Sequence, residues 1–472
     1  MARHISPRTH QRTKHLTVFA VIAFLSILLV VVLTNLDKIQ YFLPKADQKP
    51  ANLYVDSTAV LGNLPRAWRN LAQGGEDHAW RIGGITNQVA ALKPEYIRID
   101  HIYDFYDIVQ GTPGNLTFDF SKLDLVIDDI VKTGAKPYIA LSYMPPVIAE
   151  GDIVSAPKNW GDWQLTIQKT VEHVSGTRKI RDVYYEVWNE PDLFGGWKYY
   201  GPKSYLTLYT YAAKGAQSAK GVLPYKLCGP ATTANYKNWF DALAKHAIAN
   251  KLKFDCYTWH RYTTNMNQFP KDITDAHSWI AQFPQLEPTL EIHITEWGHD
   301  SNVNAGYDSS YGAAHTVAAA ISMVGYIERA FVFEIQDGKS PEGKEYWGRW
   351  GLFTHNDFGA KAKPRYHALK LLDSLGQQRL QISGQGTNVR GLAARSAAGH
   401  PEVVLSNYDS KGRNRENVPV TFGNIQPGTY TLSKQYLSGK QSNETVATTA
   451  AQIRTVVPMG PNEVAKVSLI RK

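Results

Sequence analysis

The stretch VYYEVWNEPDLFGG, residues 183 to 196, decides how this chain is read. It opens as a strand of aromatic and β-branched residues, the types that suit a pleated, half-buried surface. It then breaks into Trp188, Asn189, Glu190 and Pro191. Proline cannot continue a central strand, so pairing stops there. The strand therefore ends by delivering an amide and a carboxylate to one edge of a sheet.

The same texture repeats on both sides. PEYIRID (94–100), KPYIALSYMP (136–145), YKLCGPA (225–231), FDCYTWHRY (254–262), EIHITEWG (291–298) and RAFVFEIQDG (329–338) read as strands. Helical stretches alternate with them. In 119–134, Phe120, Leu123, Ile127, Ile130 and Val131 recur three or four apart, the spacing of one helical face. In 203–220, Tyr205, Leu208, Tyr209, Ala212, Ala213 and Ala216 do the same. Counting NLYVDSTAVLG (52–62) as the first strand gives eight strand–helix pairs over about 320 residues. Alternating units predict a parallel sheet, and eight predict a closed (β/α)8 TIM barrel over residues 51–375. After Gly376 the helical period stops. Short alternating stretches separated by Gly, Pro and Asn predict a β-sandwich over residues 376–472.

The N-terminus is of another kind. Residues 1–15 carry Arg3, Arg8, Arg12 and Lys14 and no acid. Leu16 to Leu33 follows without a charge, long enough as a helix to cross a hydrocarbon core of about 30 Å. The basic flank places the tail in the cytoplasm and the rest outside. The run is longer than the apolar region of a cleaved leader and no small-x-small site follows it. The reading is a cytoplasmic basic tail (1–15), a transmembrane signal anchor (16–35), a linker (36–50) and an extracytoplasmic catalytic region, with membrane contact through the N-terminal helix.

The chain has 472 residues, a net charge of +9, and 12 Trp and 26 Tyr. So many flat rings suit a ring-lined cleft as well as a large core. The charge is modest, and without an arginine-rich helix or zinc-finger spacing no nucleic-acid partner is expected. Only Cys228 and Cys256 are present, too few for a disulfide scaffold. Two buried free thiols are expected, with a single bridge between neighbouring strands as the alternative.

In a barrel of this kind the chemistry sits at the C-terminal ends of the strands. Strand two ends in Arg98, Asp100 and His101; strand four in Asn189 and Glu190; strand six in His260 and Tyr262; strand seven in Glu296 and Trp297; strand eight in Glu334, Gln336 and Asp337. Two carboxyl groups, Glu190 and Glu296, thus meet at one mouth. Cleavage of a glycosidic bond needs such a pair, one protonated to donate to the leaving oxygen and one ionised to attack or to activate water. Trp297, and Trp347 on the loop EYWGRWG (345–351), are candidate sugar platforms, with packing for Trp297 and pinning of the loop for Trp347 as the alternatives. His293 should point away from the mouth, and no H-x-x-x-H spacing occurs, so no metal is expected.

VWNEPD and ITEW resemble the two signatures of the clan of (β/α)8 retaining glycoside hydrolases. YEVWNEPD, KLCGPATT, TWHRY and KPRYHALKLL are similar to glycoside hydrolase family 39, which includes β-xylosidases, α-iduronidases and exopolysaccharide endoglycosidases. The last group looks closest in layout. The resemblance covers roughly residues 52–372. It implies Glu190 as acid/base, Glu296 as nucleophile, Asn189 holding the sugar's 2-hydroxyl, Tyr262 orienting Glu296, and Arg98, His101 and His260 shaping the site. The chain departs from the pattern where many clan members end strand eight in Trp and this one has FEIQD. It departs again where a tight Arg-His pair on strand two is loosened to RIDH. The expected activity is double-displacement hydrolysis of a poly- or oligosaccharide by a monomer without cofactor. Alternatives are a carbohydrate-binding surface protein on an inactive barrel and a transglycosylase.

Overall fold

The structure is a computed structural model, and it describes residues 48–472. The tail, the span expected over 16–35 and nearly all of the linker lie outside the described residues. Among the described residues no helix is long and apolar enough to cross a membrane.

Eight parallel strands close into a barrel: Asn70–Gln73, Tyr96–Ile99, Lys136–Leu141, Val183–Val187, Tyr225–Thr232, Cys256–Tyr262, Glu291–Gly298 and Arg329–Phe333. The expected first strand is a correction. Leu53–Asn63 does not enter the barrel; it pairs antiparallel with Gln378–Ser383 and parallel with Glu416–Gly423. Asn70–Gln73, from the fully buried stretch NLAQ, takes its place between strands eight and two. The pattern of 53–63 is that of a strand, but the pattern names no partner.

The helices bury the stripes their spacing predicts. Ser121–Lys132 buries Leu123, Val126, Ile127 and Ile130, while Val131 falls outside the stripe and is exposed. Ser310–Met323 is buried almost all round. One side faces the barrel. On the other, Ser406 donates to the Ala314 carbonyl at 2.7 Å and the Tyr311 and Tyr408 hydroxyls meet at 2.8 Å. A helix apolar on every face needs such two-sided cover.

The C-terminal region is β-rich as expected, but its strands form one continuous nine-stranded sheet that includes Leu53–Asn63. Tyr430 and Leu432 near one end of the sheet share a core with Ile453 and Val457 at the other. The sheet therefore curls over on itself, and the two inner faces of the expected sandwich come from one sheet.

Inside the barrel, Tyr96, Tyr138, Tyr184 and Phe331 form an aromatic floor, with Tyr138 stacked on Tyr184 at 5.2 Å. Cys228 and Cys256 pair directly across strands five and six and form a disulfide, in place of the two free thiols expected.

Candidate active site

On the second strand Tyr96 faces inward, and Arg98 lies two residues above it on the same face. Arg98 is fully buried. Its Nε donates to Glu186 at 2.8 Å, one terminal nitrogen to Glu296 Oε1 at 2.9 Å, and the other to Asn189 Oδ1 at 2.8 Å. Burial opposes the charged guanidinium, but Glu186, Glu296 and Asp100 outweigh it and hold it charged.

Regular alternation would not aim the next groups correctly. On strand seven His293 faces inward, so an unbroken strand would turn Thr295 in and Glu296 out. The register with strand six slips between Ile294 and Glu296, so that Glu296 falls opposite His260. Such a bulge re-aims the side chain into the mouth. On strand four the turn comes from backbone: Trp188 (φ 75°) and Glu190 (φ 45°) take left-handed conformations that non-glycine residues adopt at a cost. Trp188 is held there by packing on Tyr143, Trp163 and Trp197.

The two carboxyl groups then meet through one imidazole. His260 Nδ1 lies 2.7 Å from Glu190 Oε1 and 3.4 Å from Glu296 Oε2. One oxygen of each carboxyl group and the ring nitrogen lie within 4.8 Å of one another. The Tyr262 hydroxyl donates to Glu296 Oε2 at 2.8 Å, and Asn189 Nδ2 donates to the Tyr143 hydroxyl at 2.9 Å. Burial pushes the Glu296 carboxyl up to about 7; His260 and Arg98 pull it down, and Glu190 adds to the rise. Burial works against a charged His260, but Glu296 and Glu190 prevail and raise its pKa.

A cavity of about 380 Å³ opens above these groups. Of the residues singled out from sequence, His101, Asn189, Glu190, Tyr262 and Glu296 line it. Arg98 and His260 lie buried against them. His101 is fixed by its ring nitrogen, 2.8 Å from Asp104, and by stacking on Phe105. Gly75 allows the loop after strand one to lie on this ring, since a Cβ there would come within 2.3 Å of it.

One tryptophan is a correction. Trp297 is fully buried and packs against Phe269 and His315, because the position after Glu296 points outward to the helices. Trp347 presents an exposed ring on the strand-eight loop, and Trp350 of the same loop lines the cavity beside Phe333. Glu334, Gln336 and Asp337 tie loops together: Glu334 accepts from Gln73, Gln336 donates to the Thr354 carbonyl, and Asp337 binds Lys363.

The site-residue reading missed Glu76, Tyr143, Glu186 and Phe194, and left Asp100 without a role. Glu186 and Asp100 were within reach, each sharing strand parity with an inward neighbour. Glu76 and Phe194 sit on loops, where no period applies.

Two groups of described residues have metal-ligand chemistry. In one, the thiols of Cys228 and Cys256 are spent on the disulfide. In the other, Glu190, His260 and Glu296, the Arg98 cation already occupies Glu296.

Two carboxyl groups with an oxygen of each within 4.8 Å of the other, one held by a guanidinium and both touched by an imidazole, lie nearer the separation of about 5–5.5 Å used by glycosidases that form a covalent intermediate than any wider spacing. Inverting enzymes space them about 6.5–9.5 Å apart to admit water. Comparison with known proteins gives the particular family. The family model of glycosyl hydrolases family 39 matches residues 85–432. The chain belongs to this family of retaining glycosidases.

A beta-xylosidase of Caldicellulosiruptor saccharolyticus is 26% identical over 57% of this chain and 59% of its own length. One of Geobacillus stearothermophilus is 25% identical over 68% of this chain and 69% of its own. The chain thus spans less than two thirds of the first of these relatives. The solved structure of a monomeric beta-xylosidase from Caulobacter crescentus CB15 superposes with a TM-score of 0.73 at 20% identity, over 89% of this chain and 99% of that one.

Proposed function

We propose that this chain hydrolyses O-glycosidic bonds of an extracytoplasmic poly- or oligosaccharide by double displacement. The observation that carries the reading is the His260 contact joining Glu190 and Glu296 beneath an open cavity. Glu296, ionised beside Arg98 and Tyr262, attacks the anomeric carbon and forms a glycosyl ester. Glu190 protonates the leaving oxygen, then takes a proton from the water that cleaves the ester. His260 donates to whichever carboxylate carries the charge. The beta-xylosidase relatives make β-xylosides the first substrates to try.

Membrane anchorage rests on the uncharged run from Leu16 to Leu33 and its basic flank. The Cys228–Cys256 bridge supports an oxidising, extracytoplasmic location. A monomer is proposed alongside.

The test uses a soluble chain beginning near residue 45, screened on polysaccharides and aryl glycosides beside Glu190→Gln and Glu296→Gln. Cleavage of one substrate class by wild type, nearly lost in both variants, is expected. Glycan binding without cleavage by wild type would replace the hydrolase with a carbohydrate-binding protein. Product chromatography separates hydrolysis from transfer to a second sugar. Membrane fractionation of the full chain, with and without residues 1–45, tests the anchor.

A further inference from the structure

Asp100 lines the cavity beside the nucleophile, and its charge helps keep Arg98 charged, but its side chain makes no hydrogen bond to the network that holds Glu296. Its side chain is 4% exposed. Its Oδ1 is buried without a hydrogen-bond partner. Its Oδ2 stands 3.9 Å from Arg98, beyond hydrogen-bond reach. The Arg98 guanidinium cannot turn to it, since it is held by Glu186, Glu296 and Asn189. His101 gives its Nδ1 to Asp104 and makes no hydrogen bond to Asp100, although the two attract electrostatically.

A buried polar group with an unused acceptor is costly, and the cost is removed when something donates to it. Glu76 is the other cavity-lining side chain with an orphan buried oxygen, but it faces the Glu334 carboxyl. Asp100 faces the cavity. The lining holds four carboxyl groups, Glu76, Asp100, Glu190 and Glu296, and neither lysine nor arginine.

We propose that Asp100 is a specificity-determining residue, which accepts a hydrogen bond from a hydroxyl or amino group on the sugar bound next to Glu296. Asp100 and the ionised Glu296 turn away a sugar bearing a carboxylate at that position, because like charges brought together out of water repel strongly. The inference rests on the glycosidase reading above and names the kind of sugar that site takes. The RIDH sequence, with an acid two residues after Arg98, is then a selector rather than a spoiled motif.

The test pairs enzyme and substrate changes. Wild type, Asp100→Asn and Asp100→Ala are assayed on the aryl glycoside that wild type cleaves best. Monodeoxy, aminodeoxy and uronic acid analogues of that glycoside complete the series. Wild type should lose about 10- to 100-fold in kcat/KM when one particular hydroxyl is removed, the size of a hydrogen bond to a charged group. That penalty should largely vanish in Asp100→Ala, a coupling that a structural role for Asp100 would not produce. An aminodeoxy analogue cleaved better than its parent identifies an amino sugar as the donor; the reverse identifies a hydroxyl. Asp100→Asn should narrow the gap between neutral and uronic acid glycosides.

If wild type tolerates every monodeoxy analogue, or if the penalty is unchanged in Asp100→Ala, the inference is overturned while the hydrolase reading stands. If wild type cleaves no glycoside, both fall. Should Asp100→Ala fail to fold, Asp100→Asn, which keeps the side chain's shape, carries the same comparison: the penalty for removing that hydroxyl should shrink in it, and an unchanged penalty overturns the inference.

Discussion

Glu190 and Glu296 share one imidazole but should fail differently when altered. Replacing Glu296 by Gln removes the nucleophile, and kcat/KM should fall by at least about 10³-fold for every leaving group. Replacing Glu190 by Gln removes a proton donor, a contribution of about 10²- to 10⁴-fold. That loss should shrink for an activated dinitrophenyl leaving group, which needs no proton; equal losses on poor and good leaving groups would exchange or void the two roles.

The pH profile follows from the same geometry. Attack needs ionised Glu296, whose pKa burial raises to about 7. The kcat/KM of the free enzyme should therefore climb with pH through an acidic limb near neutrality and decline on acidification. Tyr262→Phe deletes a donor to the carboxylate, and losing a bond to the charged form raises a pKa. The limb should move to higher pH, with a loss of about tenfold; a limb that stays put would detach Tyr262 from Glu296.

Elements aim these residues through irregularity. The strand-four turn rests on left-handed Trp188 and Glu190, kept in place by the rings around Trp188. Trp188→Ala should cost about 3–5 kcal/mol by denaturant unfolding, the range for a buried ring deleted to a cavity. Activity should be lost beyond what the lowered stability explains, because Asn189 and Glu190 lose their support. A stable, fully active variant would show that the turn stands without the ring.

Strands five and six carry the second device. Cys228 and Cys256 lie 28 residues apart in sequence, and closing a loop of that length stabilises by about 3.5 kcal/mol in the chain-entropy account. Cys228→Ala with Cys256→Ala should lower the urea midpoint accordingly. Midpoints that coincide for the variant and the reduced wild type would assign the difference to the bridge.

At the scale of the whole molecule, the barrel and the curled sheet are one folding unit. Ser310–Met323 is covered by the barrel on one side and by the sheet on the other. Leu53–Asn63, which precedes the barrel in sequence, is paired to strands that follow it. A chain ending at Gly376 would expose that helix and leave Leu53–Asn63 without a partner. It should lack a sharp thermal transition and bind a hydrophobic dye, whereas residues 48–472 should unfold in one step by calorimetry. A sharply melting truncated barrel would show that the sheet is an appendage.

By itself the sequence determined the alternation of strands and helices, the strand-ending acids Glu190 and Glu296, and the change of texture after Gly376. Each follows from local period and from residues that break it. Only tertiary structure decided that Leu53–Asn63 leaves the barrel, that Cys228 pairs with Cys256, that Trp297 turns outward and that a slip in strand seven turns Glu296 inward. These depend on register and partner choice between segments far apart in the chain. A hydrophobic period records that a face will be buried; what buries it is settled when the whole chain closes.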